Sequence, residues 1–365
     1  MSDSRTPLIM LAAGGTGGHL FPAQALAETL VQRGFRTQLM TDERVRDYGK
    51  NFPAEKAHIV ESASPSPKRP LSMLKLYRGY RAAKAILRAE KPLAVVGFGG
   101  YPSFPPIYAA ASLHIPSVVH EQNAVLGRAN KLLSRKVNLV ASSFANVMGL
   151  PDAAKAKLQF TGNPVRAVAL REKGAVFPAL GQDFNLVVFG GSQGAKFFSD
   201  FMPQVFAAMP DAARRKIVLT QQCRDEDLAR VQTAYESVGL RAELKAFFND
   251  MPHRIAGAHL VISRSGASTI AELGVIGRPA IMVPLPHAID NDQLRNAQSF
   301  AEAGAGWVCP QKELEPQSFA ALLGRLMADA PRLKKAAESA LHHGKPDAAE
   351  RLADAVEHVI AQSSA

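Results

Sequence analysis

Cysteine and tryptophan are scarce in this chain of 365 residues, which contains two cysteines and one tryptophan. The two cysteines, Cys223 and Cys309, supply neither a disulfide framework nor the ligands of a cysteine zinc site. We therefore expect a protein of a reducing compartment such as the cytosol. Aromatic residues make up only 7% of the chain, whereas binding of single-stranded nucleic acid uses aromatic side chains among basic ones. A nucleic-acid-binding protein is therefore the weaker interpretation, and we expect no nucleic acid partner.

Long apolar runs are also missing, and no run approaches the ~18 residues that a membrane-spanning helix needs. The first run, LIMLAA at residues 8–13, is too short for the core of a signal peptide. We expect a protein that is neither exported nor membrane-spanning but that can still lie on a bilayer. The formal net charge of +11 favours an anionic partner, such as a phosphorylated ligand or an anionic membrane.

Short apolar runs alternate with helix-like segments along the whole chain, which is typical of βαβ units and a parallel sheet. In each half, the first strand opens onto glycines and a helix. We therefore predict an α/β protein of two doubly wound Rossmann-like domains that face a cleft. The ten predicted strands are 8–13, 37–41, 93–98, 116–120 and 139–142 in the first half and 185–191, 216–220, 242–247, 260–263 and 279–284 in the second.

The glycine- and proline-containing stretch TGNPVR at residues 161–166 marks the boundary between the halves. We predict an N-terminal domain over residues 1–163 and a C-terminal domain over residues 164–345. A final helix, within residues 346–365, is expected to pack back onto the N-terminal domain.

The first glycine loop, GGTGGH at residues 14–19, lets the backbone turn tightly and approach a ligand closely. It is not a dinucleotide fingerprint, because Leu20 stands where the third glycine is needed, although Asp42 is suitably placed for a ribose. It does not fit a P-loop either. His19 falls in the first helical turn, where the helix dipole favours a neutral imidazole and hence a general base. The alternative, that His19 only hydrogen-bonds the loop, stays open.

Two further clusters predict a nucleotide site in the second half. In GGSQG at residues 190–194, backbone amides and the Ser192 hydroxyl can hold a diphosphate, and Arg166 can add positive charge. In SRSGASTIAEL at residues 263–273, the Glu272 carboxylate can accept hydrogen bonds from two neighbouring ribose hydroxyls. Taken singly, Arg166 and Glu272 are more typical of solvated surface residues than of a binding site.

Six motifs occur in one order along nearly the whole chain: GGTGGHLFPA, GFGGYPS, HEQNAVLGRANK, TGNPVR, GGSQGAK and RSGASTIAEL. Together they resemble the MurG family, the UDP-N-acetylglucosamine:lipid I N-acetylglucosaminyltransferases of peptidoglycan synthesis. The resemblance implies an inverting GT-B glycosyltransferase. It would move N-acetylglucosamine (GlcNAc) from UDP-GlcNAc to the C4 hydroxyl of N-acetylmuramic acid (MurNAc) in undecaprenyl-diphospho-MurNAc-pentapeptide (lipid I). The alternative is another UDP-sugar GT-B enzyme, such as a UDP-GlcNAc 2-epimerase.

The same resemblance implies roles for individual residues. His19 would be the catalytic base or a close electrostatic helper, and Tyr101 would lie on the acceptor side. The residues expected at the donor UDP-GlcNAc and the reacting centre are Thr16, Gly17, Gly18, Asn123, Arg166, Ser192, Phe248, Ala267, Ser268, Thr269, Glu272 and Gln293. No D-x-D pair stands at a suitable position, so we predict no obligatory metal and no other cofactor.

Two positions depart from the family pattern. Cys223 stands where glycine is common, and Asp292 stands where histidine or glutamine often precedes Gln293. The first departure puts a turn in doubt, and the second puts in doubt the contacts of the loop to the donor sugar.

The segment 68–91 carries eight basic residues and a single acid, Glu90. As a helix it presents one apolar stripe, which we assign to the core, and a second face of mixed apolar and basic residues. Such a face suits an anionic lipid surface, and we predict peripheral attachment to the cytoplasmic face of the inner membrane. A solvated basic face is the alternative, and other cell-wall synthesis proteins are further candidate partners. The stripe is Met73, Leu76, Tyr80, Ala83 and Leu87, and the second face is Leu71, Leu74, Lys75, Arg78, Arg81 and Arg88.

Overall fold

The computed structural model of the chain describes residues 6–14, 17–43, 52–64, 70–286 and 289–364, without the side chains at 70, 191–195, 289 and 364. The chain divides into two compact units, one of residues 1–166 with 346–365 and one of residues 167–345. The division falls three residues later than the predicted boundary after residue 163. The C-terminal segment groups with the first unit.

The first unit contains a seven-stranded sheet in the order β3-β2-β1-β4-β5-β6-β7, with every neighbouring pair parallel. Its strands are β1 (Leu8–Ala12), β2 (Arg36–Thr41), β3 (Lys56–Ile59), β4 (Ala94–Gly97), β5 (Ser117–Glu121), β6 (Leu139–Ser142) and β7 (Leu158–Phe160). The helices that follow them are α1 (Gly17–Gln32), α2 (Pro70–Glu90), α3 (Gly100–Ser112), α4 (Arg128–Leu133) and α5 (Asp152–Lys155).

The second unit repeats this order in a six-stranded parallel sheet, β10-β9-β8-β11-β12-β13. Its strands are β8 (Phe184–Phe189), β9 (Ile217–Gln222), β10 (Arg241–Lys245), β11 (Leu260–Ser263), β12 (Ala280–Met282) and β13 (Gly306–Val308). Its helices are α6 (Ala167–Leu170), α7 (Gly191–Ala208), α8 (Asp211–Arg214), α9 (Leu228–Ser237), α10 (Met251–Ala256), α11 (Ala267–Ile276), α12 (Asp292–Glu302), α13 (Pro316–Met327) and α14 (Ala330–His343). The final helix, α15 (Ala348–Ser364), belongs to the first unit, and short 3-10 turns occupy Asp225–Asp227, Ile289–Asn291 and Gln311–Glu313.

All ten predicted strands are present, and the prediction of two Rossmann-like α/β domains is confirmed. Three strands were missed, and each lies at the edge of its sheet: β3, β7 and β13. An edge strand is covered less completely, so it need not be an apolar run. In β3, for example, three of the four residues are exposed.

The core of the first unit lies on both faces of β1, whose five residues are all buried. Successive side chains of a strand point to opposite faces. Ile9 and Leu11 therefore pack with α1 and α15 on one face, and Met10 packs with α2 and α3 on the other. The apolar side of α15, including Val356, thus completes the core of this unit.

An ionic cluster at the C-terminal end of α1 reinforces this packing of α15. The Arg33 guanidinium donates to Asp354 at 2.7 Å, to Glu357 at 2.8 Å and to Glu350. All three acids lie along one side of α15, so a single arginine ties about two turns of that helix to the end of α1.

The helix α2 covers the sheet with the predicted face except in its first turn. Ser72, Gly79, Ala83 and Leu87 are buried, whereas Met73 is 56% exposed. The assignment of Met73 to the core stripe is therefore wrong. Because Ser72 occupies the inward position at this level of the helix, its neighbour is rotated by about 100° toward solvent. No helix in the described parts of the chain is both long enough and apolar enough to cross a bilayer.

Gly79→Ala is expected to destabilise the first unit, because a Cβ there would lie 1.9 Å from the backbone carbonyl oxygen of Glu61. Backbone cannot move aside as a flexible side chain does, so we expect a loss of about 1–3 kcal/mol. The matched control is Gly324→Ala, also inside a helix, where a Cβ would meet nothing within 4 Å. It should stabilise by about 0.5–1 kcal/mol. Thermal unfolding checks both, and equal shifts for the two variants would contradict the packing argument.

Candidate functional site

The turn between β1 and α1 carries the first group of predicted residues. Thr16 lies outside the described residues, and Gly17 and Gly18 fall in the first turn of α1. A Cβ at Gly17 would lie 2.7 Å from the Phe21 ring, so any larger residue here would have to displace that ring. The Arg166 guanidinium lies 4.6 Å from the centroid of the same ring. Arg166 thus belongs to the first unit and stacks one turn after the glycines.

His19 is half-buried in the first turn of α1, and its ring lies against the turn before α3. Gly99 and Gly100 form this turn with φ values of 80° and 68°, a region that favours glycine. A Cβ on Gly100 would lie 3.3 Å from Nε2 of His19. The two glycines therefore provide both the backbone conformation and the space for the imidazole. Tyr101 follows them and is half-buried.

A chain of hydrogen bonds connects His19 to the end of β7 through the carboxyl end of β5. His19 Nδ1 lies 3.2 Å from Gln122 Oε1, and Gln122 Nε2 lies 3.1 Å from His120 Nδ1. At the far end, His120 Nε2 lies 2.9 Å from the carbonyl oxygen of Gly162. Burial lowers the pKa of His120 to about 4, so its imidazole is neutral at pH 7.

Glu121 is a buried carboxyl group that organises the loop after β5. It accepts hydrogen bonds from the amides of Asn123 at 3.0 Å and Gly127 at 2.9 Å and from Asn130 Nδ2 at 2.9 Å. Burial raises the pKa of Glu121, and the hydrogen bonds partly oppose this rise. The Asn123 side-chain amide also lies 3.3 Å from Glu121. The predicted substrate residue Asn123 is thus held in place by its neighbour.

The sequence reasoning identified Asn123 but missed His120, Glu121 and Gln122 as parts of this site. The signal was available in the run HEQN at residues 120–123. It stands at the carboxyl end of a buried strand, and the carboxyl ends of parallel strands share one edge of the sheet.

A cavity of about 680 Å³ opens in the first unit at this edge of the sheet. His19, Gly100 and Tyr101 line one side, next to Pro102. The rest of the lining contains three acidic residues and one lysine among apolar and small polar residues. The remaining lining residues are Gly14, Asp42, Glu43, Ile59, Val60, Glu61, Ser62, Ala63, Ser64 and Lys75.

In the second unit, two helix N-termini follow the central strands β8 and β11. Ser192 lies in the first turn of α7, and its side chain is outside the described part of the structure. The first turn of α11 consists of Ala267, Ser268 and Thr269, and Glu272 is buried one turn later. The first N–H groups of a helix lack partners within the helix and favour an anion. The buried Ser268 hydroxyl has no hydrogen-bond partner among the described atoms.

Gln293, at the start of α12, is tied to the loop before α11. Ser265 Oγ donates to the Gln293 carbonyl at 2.7 Å, and Gln293 Oε1 accepts from the Leu285 amide at 3.0 Å. The departure at Asp292 has a local role, because its carboxylate accepts the Gln293 amide at 2.7 Å. Asp290 and Asn291 both adopt left-handed conformations in the preceding turn, which these two residue types tolerate better than most.

Phe248, which was predicted to lie at the uracil, and Cys223, which departs from the family pattern, are both buried in this unit. Phe248 lies under the Arg254 guanidinium, 4.5 Å from the ring centroid, and Asp250 holds that arginine at 2.9 Å. The departure at Cys223 is fully buried after β9, with its sulfur 3.1 Å from Ser199 Oγ. Burial raises the pKa of the Cys223 thiol. Within the described ranges, no group of three or more His, Cys, Asp or Glu side chains could hold a metal ion.

Comparison with known proteins gives a consistent result over the whole chain. Residues 9–142 match the glycosyltransferase family 28 N-terminal domain, and residues 185–352 match the family 28 C-terminal domain. A Mesorhizobium japonicum protein is 50% identical over 98% of this chain and 96% of its own length. It is named UDP-N-acetylglucosamine--N-acetylmuramyl-(pentapeptide) pyrophosphoryl-undecaprenol N-acetylglucosamine transferase.

Solved structures agree with this comparison. The crystal structure of MurG from Acinetobacter baumannii is 28% identical, with a TM-score of 0.77 over 96% of this chain and 99% of that one. A Listeria monocytogenes structure described as a UDP-N-acetylglucosamine 2-epimerase has a TM-score of 0.69, covers 97% of this chain and 96% of that one, and is only 14% identical. At that identity it shows a shared fold alone.

The lowered pKa of His120 leads us to predict that the free energy of unfolding decreases in acid. Its pKa falls from 6.5 in the unfolded chain to about 4 in the folded one, so between these values only the unfolded state is protonated. Stability therefore falls as pH drops from 6.5 to 4, by about 3 kcal/mol for this group. The raised pKa of Glu121 acts in the opposite direction, so the comparison must be between variants.

His120→Asn should reduce the pH slope of the unfolding free energy by about one proton in this window. Denaturant unfolding at several pH values measures that slope. His114→Asn is the matched control, because His114 is exposed and has a φ of 57°, which asparagine tolerates. An unchanged slope in His120→Asn would show that the buried imidazole is not the source.

Proposed function

Since this chain belongs to glycosyltransferase family 28, we propose here how its residues perform the reaction that its close relatives are named for. The chain transfers GlcNAc from UDP-GlcNAc to MurNAc-(pentapeptide) pyrophosphoryl-undecaprenol in peptidoglycan synthesis. This function is favoured over the epimerase alternative, because the full-length relatives at about 50% identity are named as transferases.

We assign the role of general base to His19. Transfer with inversion needs one displacement, in which the C4 hydroxyl of MurNAc loses its proton as it attacks the sugar and UDP leaves. The observation that carries this role is the position of His19: the ring is fixed in the first turn of α1 and lies on the wall of the cavity. We assign that cavity, with Tyr101, to the acceptor. An imidazole held in a fixed position can act as a general base.

The donor is assigned to the second unit and to the residues predicted for it. The α7 N-terminus with Ser192 would hold the diphosphate, and the α11 N-terminus would bind the nucleotide, with Glu272 accepting from the ribose hydroxyls. Phe248 would lie at the uracil and Gln293 at the sugar. The two helix N-termini support this assignment, because each presents backbone N–H groups and a positive dipole end.

We assign stabilisation of the leaving diphosphate to these helix dipoles and to Arg166, as a preorganised positive field. The stacking of Arg166 on Phe21 fixes its planar guanidinium beside the glycine turn of α1. In this assignment no metal ion is needed at the leaving group.

We further propose that α2 attaches the protein to the anionic cytoplasmic face of the inner membrane, where a lipid-linked acceptor resides. Its first turns expose the apolar side chains of Leu71 (71% exposed), Met73, Leu74 and Tyr77. Exposed Lys75, Arg78 and Arg81 lie among them. Apolar side chains that enter the interface, together with basic ones that contact lipid headgroups, are typical of peripheral membrane helices.

His19→Ala is expected to lower kcat by about 10²–10⁴-fold, the usual contribution of a general base. UDP affinity, measured by calorimetry, should stay within a few-fold, because most of the residues assigned to the donor lie in the second unit. UDP release is followed with UDP-GlcNAc and a lipid I analogue, with His358→Ala on the exposed face of α15 as the control. Turnover near the wild-type rate in His19→Ala would remove the proposed role. Release without acceptor would indicate hydrolase or epimerase chemistry.

Turnover is expected to persist after dialysis against EDTA, because protein dipoles and Arg166 are proposed to meet the charge of the diphosphate. The same UDP-release assay measures it, with and without added Mg²⁺. A loss of activity that Mg²⁺ restores would contradict the proposal.

Arg78→Glu/Arg81→Glu is expected to weaken binding to anionic vesicles at least about thirtyfold, since each basic residue near the surface contributes about 1 kcal/mol. Sedimentation with phosphatidylglycerol vesicles at low salt measures this. The matched control, Lys334→Glu/Lys335→Glu on exposed positions of α14, changes the net charge equally. If both double variants bind alike, general charge rather than α2 carries the attraction.

A further inference from the structure

We propose that Gln122 is a positioning residue that fixes which ring nitrogen of His19 carries the proton, leaving Nε2 as the unprotonated atom. The inference deepens the proposed role of His19 and rests on that role only for its effect on turnover. It follows from the direction of each hydrogen bond in the chain from Gly162 to His19.

The direction is set first at the backbone end of the chain. A carbonyl oxygen can only accept, so the 2.9 Å contact between His120 Nε2 and the Gly162 oxygen requires a proton on Nε2. A neutral imidazole carries one proton, and burial keeps His120 neutral at pH 7. Its Nδ1 is therefore an acceptor.

The amide of Gln122 is oriented by two acceptors on the same residue. Its Nε2 lies 3.1 Å from His120 Nδ1 and 3.3 Å from the His120 carbonyl oxygen. A flipped amide would place its oxygen against both of these acceptors, at the cost of two buried hydrogen bonds. The amide nitrogen therefore faces His120, and Oε1 faces His19.

His19 must then donate from Nδ1, because its partner at 3.2 Å is the Gln122 oxygen. In the neutral ring this leaves Nε2 without a proton. Nε2 is also the ring atom beside Gly100, where a single methyl group would come within 3.3 Å. Glycine thus keeps this side of the ring accessible, and Gly100 and His19 both line the cavity.

The consequence for the reaction is that one known ring nitrogen of His19, Nε2, accepts the proton. Nε2 takes the proton as the O–H bond of the acceptor hydroxyl breaks, and the oxygen forms its bond to the anomeric carbon. The carbon–oxygen bond to UDP breaks, and UDP leaves with the electron pair. The imidazolium keeps its Nδ1–H bond to Gln122 throughout. Without Gln122 the ring could turn or carry its proton on Nε2, and only part of the population would be competent.

The tautomer can be measured directly by two-bond ¹H–¹⁵N correlation spectra of full-length protein labelled with ¹⁵N-histidine. Comparison with His19→Ala assigns the His19 signals. We expect a protonated Nδ1 and an unprotonated Nε2 in the wild type, and a mixture of tautomers in Gln122→Met. The kcat of Gln122→Met should fall about tenfold or more, with KM for UDP-GlcNAc within threefold, because positioning of the base affects turnover rather than donor binding.

Gln38→Met is the matched control, since Gln38 is a buried glutamine of the same unit that lies 2.7 Å from His58 and is not in the cavity wall. It should change neither the His19 signals nor kcat. The wild-type spectrum alone tests the assignment of the proton to Nδ1, so the inference can still be refuted if Gln122→Met unfolds.

A wild-type His19 protonated on Nε2, or a Gln122→Met spectrum identical to the wild type, would overturn the inference. So would an unchanged kcat in Gln122→Met with mixed tautomers. The spectra are independent of catalysis, so an active His19→Ala enzyme would refute the general-base role while leaving the tautomer assignment to stand or fall on the spectra alone.

Discussion

Parallel strands joined by helices must all end at the same edge of their sheet, and this constraint determines where chemistry can be placed in both units. In the first unit, β1, β4 and β5 are neighbours through the centre. The residues that follow them, His19, Gly100 and Gln122, therefore meet although they are separated by up to 103 positions in the chain. No long-range contact has to be arranged for each pair separately, because the pairing of the strands arranges all of them at once.

Burial then determines how rigid this edge is. His120 and Glu121 are polar groups with almost no exposed surface, and a buried polar group without a partner is costly. Each has its hydrogen bonds: His120 to Gly162 and Gln122, and Glu121 to two backbone amides and Asn130. Breaking any of these contacts would leave a buried polar group without its hydrogen bond. The loop after β5 is therefore held in one arrangement. A half-buried imidazole on α1 can then be oriented by a neutral amide.

Sequence patterns were sufficient for the central strands, because a strand covered on both faces must be an apolar run, as in LIMLA of β1. They were not sufficient at the edges, where β3 is mostly exposed, or for the first turn of α2, where Ser72 rather than Met73 faces inward. The glycine turns and the place of His19 in the first helical turn were predicted correctly, because glycine followed by a helix is a local signal. The partners of His19 were missed, since a hydrogen bond between residues 19 and 122 leaves no local pattern in the chain.

The two units have the same strand order, and they differ in the side chains that follow the central strands. After β11, the first turn of α11 has small residues, so backbone N–H groups and the helix dipole are the main groups available for a ligand, and these suit an anion. After β1, β4 and β5, the residues around the His19 imidazole include glycines, which leave space for the ring. Polar side chains form its hydrogen bonds. A helix dipole can hold a phosphate, but it cannot accept a proton. A transferase built from two such units therefore needs an added proton acceptor on one side only, and His19 on α1 is the group for which we propose that role.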